Sequence, residues 1–281
     1  MSLHRAQAAS ARALAIGLAA ALANARAGTF CTDTVFVDGF DGASRAGADA
    51  TIALASDGFN FFTLDVQDPA SLTVIGSSQG AAFRLAFVDG NFDRAFGLAQ
   101  PYAVSPDLLA TIRLSDAAIT PIGTAGSQNG DWTGFKQDPV SGELYVASGC
   151  PSSSTLYTID RNTAALHVIG KLVGIPCAAA IAIDVHGDMY AIDAISDELF
   201  AIDKSSLGVT LIGPVGFDVG EVDMDFARAD GALYVAGANN STGRVELREV
   251  DLQSGASTLV GVMPVAGVTG FAIENPVVCS P

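Results

Sequence analysis

From Asp188 to Gly213 the chain reads DMYAIDAISDELFAIDKSSLGVTLIG. Short runs rich in Ile, Tyr, Phe, Val and Ala are separated by Asp, Ser and Gly, the signature of brief strands joined by tight turns. The same phrase returns as ELYVASG…TLYTIDRNTAALHVIG and as ALYVAGA…ELREVDLQSGASTLVG. An Ile-Gly or Val-Gly marker falls at Gly76, Gly123, Gly170, Gly213 and Gly261, at intervals of 47, 47, 43 and 48 residues. Self-similarity at this period points to a repeat architecture. No window beyond the first 27 residues sustains the 3.6-residue period of an amphipathic helix.

Each unit holds four candidate strands; in the fourth unit they are 179–184, 189–193, 198–203 and 210–212. Four strands in 40–50 residues make one blade of a β-propeller, so the pattern predicts an all-β, five-bladed propeller of four-stranded blades. Neighbouring blades cover both faces of each sheet, which accounts for continuous apolar runs in place of strict alternation. Innermost strands are predicted at 83–87, 132–137, 179–184 and 222–226, with small residues (Gly134, Ala180, Ala182, Gly270) where the sheets crowd the axis. A fifth copy, TGFAIE at 269–274, stands at the C-terminal end; placed beside 51–55 it completes the first blade and closes the ring. Closure leaves no open inner edge to pair with another chain.

Two columns read as structural. Tyr145, Tyr190 and Tyr234 repeat in the second strand and suit packing between blades. Asp65, Asp160, Asp203 and Asp251 end the third strand, with Arg113 in that place in the second blade. A short carboxylate there accepts amide bonds from the turn that follows.

The phrases WTGFKQDPVSGELYVASG, STLYTIDRNTAALHVIG and VDMDFARADGALYVAGANNSTGRVELREVDLQSGASTLVG resemble secreted bacterial β-propeller repeats of the LYxID…TxIG type. The resemblance covers residues 50–275 and implies the fold and an exported protein, without implying any chemistry. The second unit departs most, with Phe96-Gly97-Leu98 in place of the LYA run.

Residues 1–27 read as an export signal: a basic start (His4, Arg5, Arg12), the apolar run ALAIGLAAALA, and Ala25-Arg26-Ala27 as a small-x-small cleavage site. The run is too short for a membrane span, and Gly28-Thr29-Phe30 before Cys31 is no lipobox. The expected organisation is a signal over 1–27, a lead-in over 28–46, the propeller over 47–276 and a tail over 277–281, in a secreted or periplasmic monomer. Without the signal, 11 basic residues face 30 acids, which argues against nucleic acid and anionic membrane as partners. Four cysteines in an exported chain point to disulfides, expected as Cys31–Cys279 across the termini and Cys150–Cys177 across two loops of one face. There is no CxxC pair, and His167 and His186 lack partners at ligand spacing, so neither a metal nor a cofactor is expected.

Candidate chemistry is sparse. Asp223 and Asp225 lie inside the strand VDMDF, where the aligned residues are Gly134 and Lys136 or Ala180 and Ala182. A carboxylate in such a column must be paired, hydrated or cation-bound. With Glu221 and Asp131 these acids are read as lining a hydrated channel, or as the carboxylate pair of a hydrolase acting on a glycan or lactone. Asp89-x-Asn91-x-Asp93 imitates a calcium loop but has Arg94 where Gly is needed, and reads as a turn. Asn239-Asn240-Ser241-Thr242 marks an exposed loop, and no G-x-S-x-G, Walker or H-E-x-x-H motif occurs.

Loops between second and third strands share one face with loops entering each inner strand. That face carries 57–60, 100–107, 128–132, 148–154, 217–221 and 239–242, richer in Asn, Ser and aromatics than the opposite turns. Variable loops on a rigid scaffold are where binding concentrates. A ligand or protein partner is expected here, at Asp131, Trp132, Glu221, Asp223 and Tyr102, with Trp132 either stacking on it or plugging the channel. The function expected is a non-catalytic binding or interaction scaffold.

Overall fold

A computed structural model describes residues 51–101, 106–126, 131–150, 153–228 and 230–274. The expected export signal and lead-in, the tail, Tyr102, Cys31 and Cys279 lie outside them. Twenty strands and no helix make up the described residues. The first blade contributes β1 (Ile52–Ser56), β2 (Asn60–Asp65) and β3 (Asp68–Ser77); the second β4 (Ala81–Val88), β5 (Asn91–Pro101), β6 (Leu108–Arg113) and β7 (Ile119–Thr124). The third holds β8 (Asp131–Gln137), β9 (Leu144–Gly149), β10 (Ser154–Ile159) and β11 (Leu166–Leu172); the fourth β12 (Ala178–Ile183), β13 (Met189–Asp193), β14 (Glu198–Ile202) and β15 (Val209–Pro214). The fifth is β16 (Val219–Ala227), β17 (Ala232–Asn239), β18 (Arg244–Val250) and β19 (Ser257–Val262), and β20 (Gly270–Ile273) follows.

Five antiparallel four-stranded sheets result, and the first has the order β20-β1-β2-β3. Ala53 pairs with Ile273 and Ser56 with Gly270, so the C-terminal strand closes the ring as its sequence copy predicts. The inner strands β4, β8, β12, β16 and β20 then follow one another around the axis. All of β12 (AAAIAI) is buried, whereas the residues of the outermost β15 are exposed or half-buried apart from Gly213. Apolar clusters fill the spaces between blades; one joins Leu98 and Leu109 of the second blade to Phe135 and Val146 of the third. Small inner-strand residues are required by this crowding: a Cβ on Gly134 would lie 2.6 Å from Ile181 Cγ1.

The Ile-Gly marker has a packing cause. In every outermost strand the register slips by one residue opposite Leu or Phe, and the residue passed over is Ile75, Ile122, Ile169, Ile212 or Val260. Such a bulge breaks the period of two. It turns that aliphatic residue onto the core between blades, while Val74, Val168 and Leu211 just before it stay exposed. The glycine that follows makes room for the next blade. A Cβ on Gly76 would meet Ala117 Cβ at 2.5 Å, on Gly123 the Thr163 oxygen at 2.7 Å, on Gly170 Leu207 Cδ1 at 2.5 Å and on Gly261 Pro69 Cγ at 2.7 Å. On Gly213 it would strike the Ser254 carbonyl oxygen. Ala117, Ala164, Leu207 and Gly255 hold one left-handed position of these turns, at φ 53°, 61°, 59° and 79°. We expect Gly213→Ala to cost about 1–3 kcal/mol, because a backbone oxygen cannot rotate aside. Gly267→Ala, in open space, is the control; equal denaturation midpoints for the two variants would refute this account of the marker.

Two residues beyond each marker glycine stands one buried residue: Ser78, Ala125, Leu172, Val215 and Met263. Ser78 is the polar member, and among the described residues its hydroxyl finds no hydrogen-bond partner. An orphaned buried hydroxyl carries its desolvation penalty. Ser78→Ala should therefore raise stability by about 1 kcal/mol, read as a higher denaturant midpoint; a lower midpoint would contradict it.

The polar columns behave as their chemistry requires. Asp65, Asp160, Asp203 and Asp251 accept the amides of Gln67, Asn162, Ser205 and Gln253 at 2.7–2.9 Å. The Ser206 and Ser205 hydroxyls and their amides hold the Asp203 carboxyl far below the usual range. In the second blade Arg113 pairs with Asp116, which itself accepts the Ala118 amide at 3.1 Å. Each tyrosine reaches into the next blade: Tyr145 lies under Lys204, its ring 5.4 Å from the ammonium, Tyr190 packs on Phe226, and the Tyr234 hydroxyl accepts from Gln67. On the turn face, ion pairs Asp89–Arg161 and Asp138–Lys204 also bridge adjacent blades. Asp89 thus belongs to an inter-blade contact, and Asn91 accepts the Asp93 amide at 3.1 Å within an ordinary turn. On the opposite face Cys150 and Cys177 are disulfide-bonded across 4.4 Å between Cα atoms, joining the third and fourth blades.

Candidate functional site

The inner edges of β4, β8, β12, β16 and β20 face the axis, where, among the described residues, no further strand pairs with them. Their edge N–H and C=O groups need partners, and side chains supply them. Lys136 Nζ donates to the carbonyls of Leu85 and Phe271, both at 2.9 Å, and to Asp223 at 3.1 and 3.2 Å. Asp223 accepts the amides of Met224 at 2.9 Å and Phe271 at 2.8 Å. Asp225 accepts those of Phe226 and Ile273, both at 2.9 Å. Arg84 Nε donates to the Trp132 carbonyl at 2.7 Å, and its terminal nitrogens reach the Val222 carbonyl at 3.3 Å and Glu221 at 3.4 Å. Strand alternation explains the placement: Val222, Met224 and Phe226 pack towards the fourth blade, and the two aspartates point the other way, to β20.

The axis is therefore a filled polar core. The side chains of Asp223 and Lys136 are 0% and 3% exposed, which corrects the expectation of acids lining a hydrated channel. Burial pushes the Asp223 and Asp225 carboxyls up, with Lys136 opposing the rise at both. Towards the turn face a cavity of about 20 Å³ remains, bordered by Lys136, Gln137, Asp225, Arg228 and Ile273. That is room for a single water. Both aspartates are committed to backbone amides of β20, so their first role is to latch the closing strand.

Of the residues expected to meet a ligand, the structure brings two to the loop-side surface. Asp131 is exposed and accepts from Gln100 Nε2 at 3.0 Å. Glu221 is half exposed above Arg84. Trp132 is 1% exposed; it stands edge-on to Tyr157 at 5.7 Å and donates its indole N–H to Asp107 at 2.9 Å. Its ring belongs to the core between the second and third blades, not to the channel mouth. Trp132 and Asp223 thus lie behind the surface, holding the Asp107 loop and the axis. Arg84 and Lys136 escaped the sequence reading as members of this centre. Their signal was present: a cation inside an apolar inner strand, in a column that carries aspartate in another blade.

A groove of about 430 Å³ opens on the turn face between the third and fourth blades, lined by Asp138, Tyr145, Gly187, Asp188, Lys204 and Ser205. Lys204 donates to Asp138 at 2.6 Å. Burial raises the Asp138 carboxyl, but Lys204, the Val140 amide and Ser141 together bring it below the usual range. Among the described residues no cluster of His, Cys, Asp and Glu forms a metal-ligand set.

No protein-family model and no curated protein matches this chain. Solved structures do. A chain of the nidogen/laminin complex superposes with a TM-score of 0.55 at 11% identity, covering 81% of this chain and 100% of that one. A protein of unknown function from Bacteroides thetaiotaomicron gives 0.53 at 16% identity, over 82% of this chain and 64% of that one. TolB from Acinetobacter baumannii gives 0.50 at 14%, over 80% and 55%. The chain thus spans little more than half of the TolB chain. At these identities the likeness is one of fold, and the fold is the β-propeller.

Proposed function

We propose that this protein is an exported, non-catalytic β-propeller that serves as a binding or interaction scaffold, making contact through its loop face. The observation that carries this is the filled axis. The acids a hydrolase would draw on, Asp223 and Asp225, spend their oxygens on amides of β16 and β20 and on Lys136. Asp131 and Glu221 stand at the loop-side surface of the ring, where binding residues held on a scaffold concentrate. The nidogen/laminin neighbour comes from a complex between proteins, which supports a scaffold of this kind. The Cys150–Cys177 bond and the signal-like first 27 residues support an oxidising, extracytoplasmic location.

The test is a screen of the purified protein on glycan and peptide arrays, followed by affinities for Asp131→Asn and Glu221→Gln. A partner whose affinity falls at least tenfold in either variant places contact on the loop face. Affinity unchanged in both moves the contact elsewhere, the turn-face groove being next to probe. Hydrolysis of chromogenic glycosides or lactones by the wild type, lost in a folded Asp223→Asn, would replace the scaffold reading with an enzymatic one.

A further inference from the structure

We propose that the turn-face groove between the third and fourth blades binds a guanidinium group, the arginine side chain of a partner protein. It lies on the face opposite the loops around Asp131 and Glu221 and does not depend on contact there. The chain supplies its own template for this ligand. At the junction of the second and third blades, Arg161 pairs with Asp89 and donates through Nη2 to the Gly142 carbonyl at 2.8 Å. Gln137 Nε2 donates to the same carbonyl at 3.3 Å. One junction further round the ring, Lys204 stands where Arg161 does, directly after the aspartate that ends the third strand. Asp138 takes the place of Asp89, Ile183 that of Gln137, and Gly187 that of Gly142. Both glycines sit two residues before the second strand of their blade, at φ 76° and 85°.

These replacements remove both donors. Lys204 has a single nitrogen, drawn to Asp138 at 2.6 Å and held over the Tyr145 ring, and Ile183 has none. Among the described residues the Gly187 carbonyl and the Asp188 carboxylate accept no hydrogen bond. What remains is the groove of about 430 Å³, a size suited to a ligand. Besides the Asp138–Lys204 pair it is lined by the exposed carboxylates Asp188 and Asp203. Asp203 is kept ionised by the Ser205 and Ser206 hydroxyls and amides. An incoming guanidinium can donate to the Gly187 carbonyl, as Arg161 does to Gly142, and turn its other N–H groups to Asp188. Its planar fork makes several such bonds at once, which an ammonium does not match. Val140 is 68% exposed and close by, since a Cβ on Gly187 would lie 3.3 Å from its Cγ2. It offers an apolar surface to the methylene stem of the arginine. The Cys150–Cys177 bond ties the same two blades together on the other face, which sets the spacing of the groove walls before a ligand arrives.

The test is titration of the full-length, isotope-labelled protein with a blocked tripeptide carrying one central arginine. Saturable shifts of the Gly187 and Asp188 amides are expected, with the lysine counterpart binding about fivefold or more weakly. Lys204→Arg keeps every charge but puts a fork where Arg161 has one. It should fold, and should bind the arginine tripeptide about tenfold or more weakly, because its own guanidinium takes the Gly187 carbonyl. Asp188→Asn, at an exposed position, should also weaken binding, by about fivefold. Free arginine, whose own carboxylate would face Asp188 and Asp203, should bind less tightly than the blocked tripeptide. No binding of the arginine tripeptide, or equal affinity for its lysine counterpart, would overturn the guanidinium site. Undiminished binding to folded Lys204→Arg or to Asp188→Asn would do the same. Tighter binding of free arginine would overturn the protein partner and assign the groove to a small guanidino compound.

Discussion

A chain ending at residue 265 is expected to lose cooperative folding altogether, not to fray at one end. The removed segment contains β20, whose Phe271, Ala272 and Ile273 are fully buried, as is Val268 before it. Losing the buried side chain of one Phe or Ile costs about 2–5 kcal/mol, and several go together. Total stabilities are only about 5–15 kcal/mol. The deletion also takes the Phe271 amide from Asp223 and the Ile273 amide from Asp225 and removes the Phe271 carbonyl from Lys136. Buried charges that lose part of their hydrogen bonding add a further penalty. The inner edge of β1 would then be bare, open to pairing with another chain. Circular dichroism melting of the truncated chain checks this, with full-length Cys279→Ser as the control for the lost cysteine. A truncated chain that melts at the control's temperature would disprove closure by β20.

Asp223→Ala should be the most damaging single substitution among the polar residues. It takes from the buried Lys136 ammonium its direct ion-pair partner, at about 3–5 kcal/mol, and leaves the Phe271 amide without its acceptor, at about 1–3 kcal/mol. Asp223→Asn keeps an acceptor for the amide but not the charge, and should fall between wild type and Ala. The informative variant is the double, Lys136→Met with Asp223→Leu. Replacing a buried ion pair with apolar residues is often neutral or stabilising. Here it should remain destabilised by about 2 kcal/mol or more, because Lys136 also serves the Leu85 and Phe271 carbonyls and Asp223 serves the Phe271 amide. The pair completes the edges of inner strands as well as neutralising itself. Urea titration of the four proteins decides it; a double variant as stable as the wild type would mean that the backbone groups find other partners.

By itself, the sequence determined the strand count, the blade repeat and the closing strand. Those features are written locally, in apolar runs of strand length, in turn residues such as Asp160 and Asp203, and in the copy TGFAIE standing without a blade. The marker glycines were visible as a period, but their cause was not. That cause is the turn of the following blade pressing on each outer strand, left-handed at Ala117, Ala164, Leu207 and Gly255 and formed by Pro69 against Gly261, a contact that exists only once the blades stand side by side. The centre was decided by tertiary structure alone. Lys136 meets Asp223 across 87 residues, and Arg84 meets the Val222 carbonyl across 138. These partners come from blades that are not neighbours, and only a ring small enough to bring its inner strands together joins them. The side on which Trp132 lies was likewise beyond a pattern of alternation. A register slip between Trp132 and Gly134 changes which face the indole occupies, since one inserted residue reverses the direction of a strand side chain. Local periodicity carries the strands, whereas the charge pairing at the axis depends on the distance between strands far apart in the chain, which no local pattern encodes.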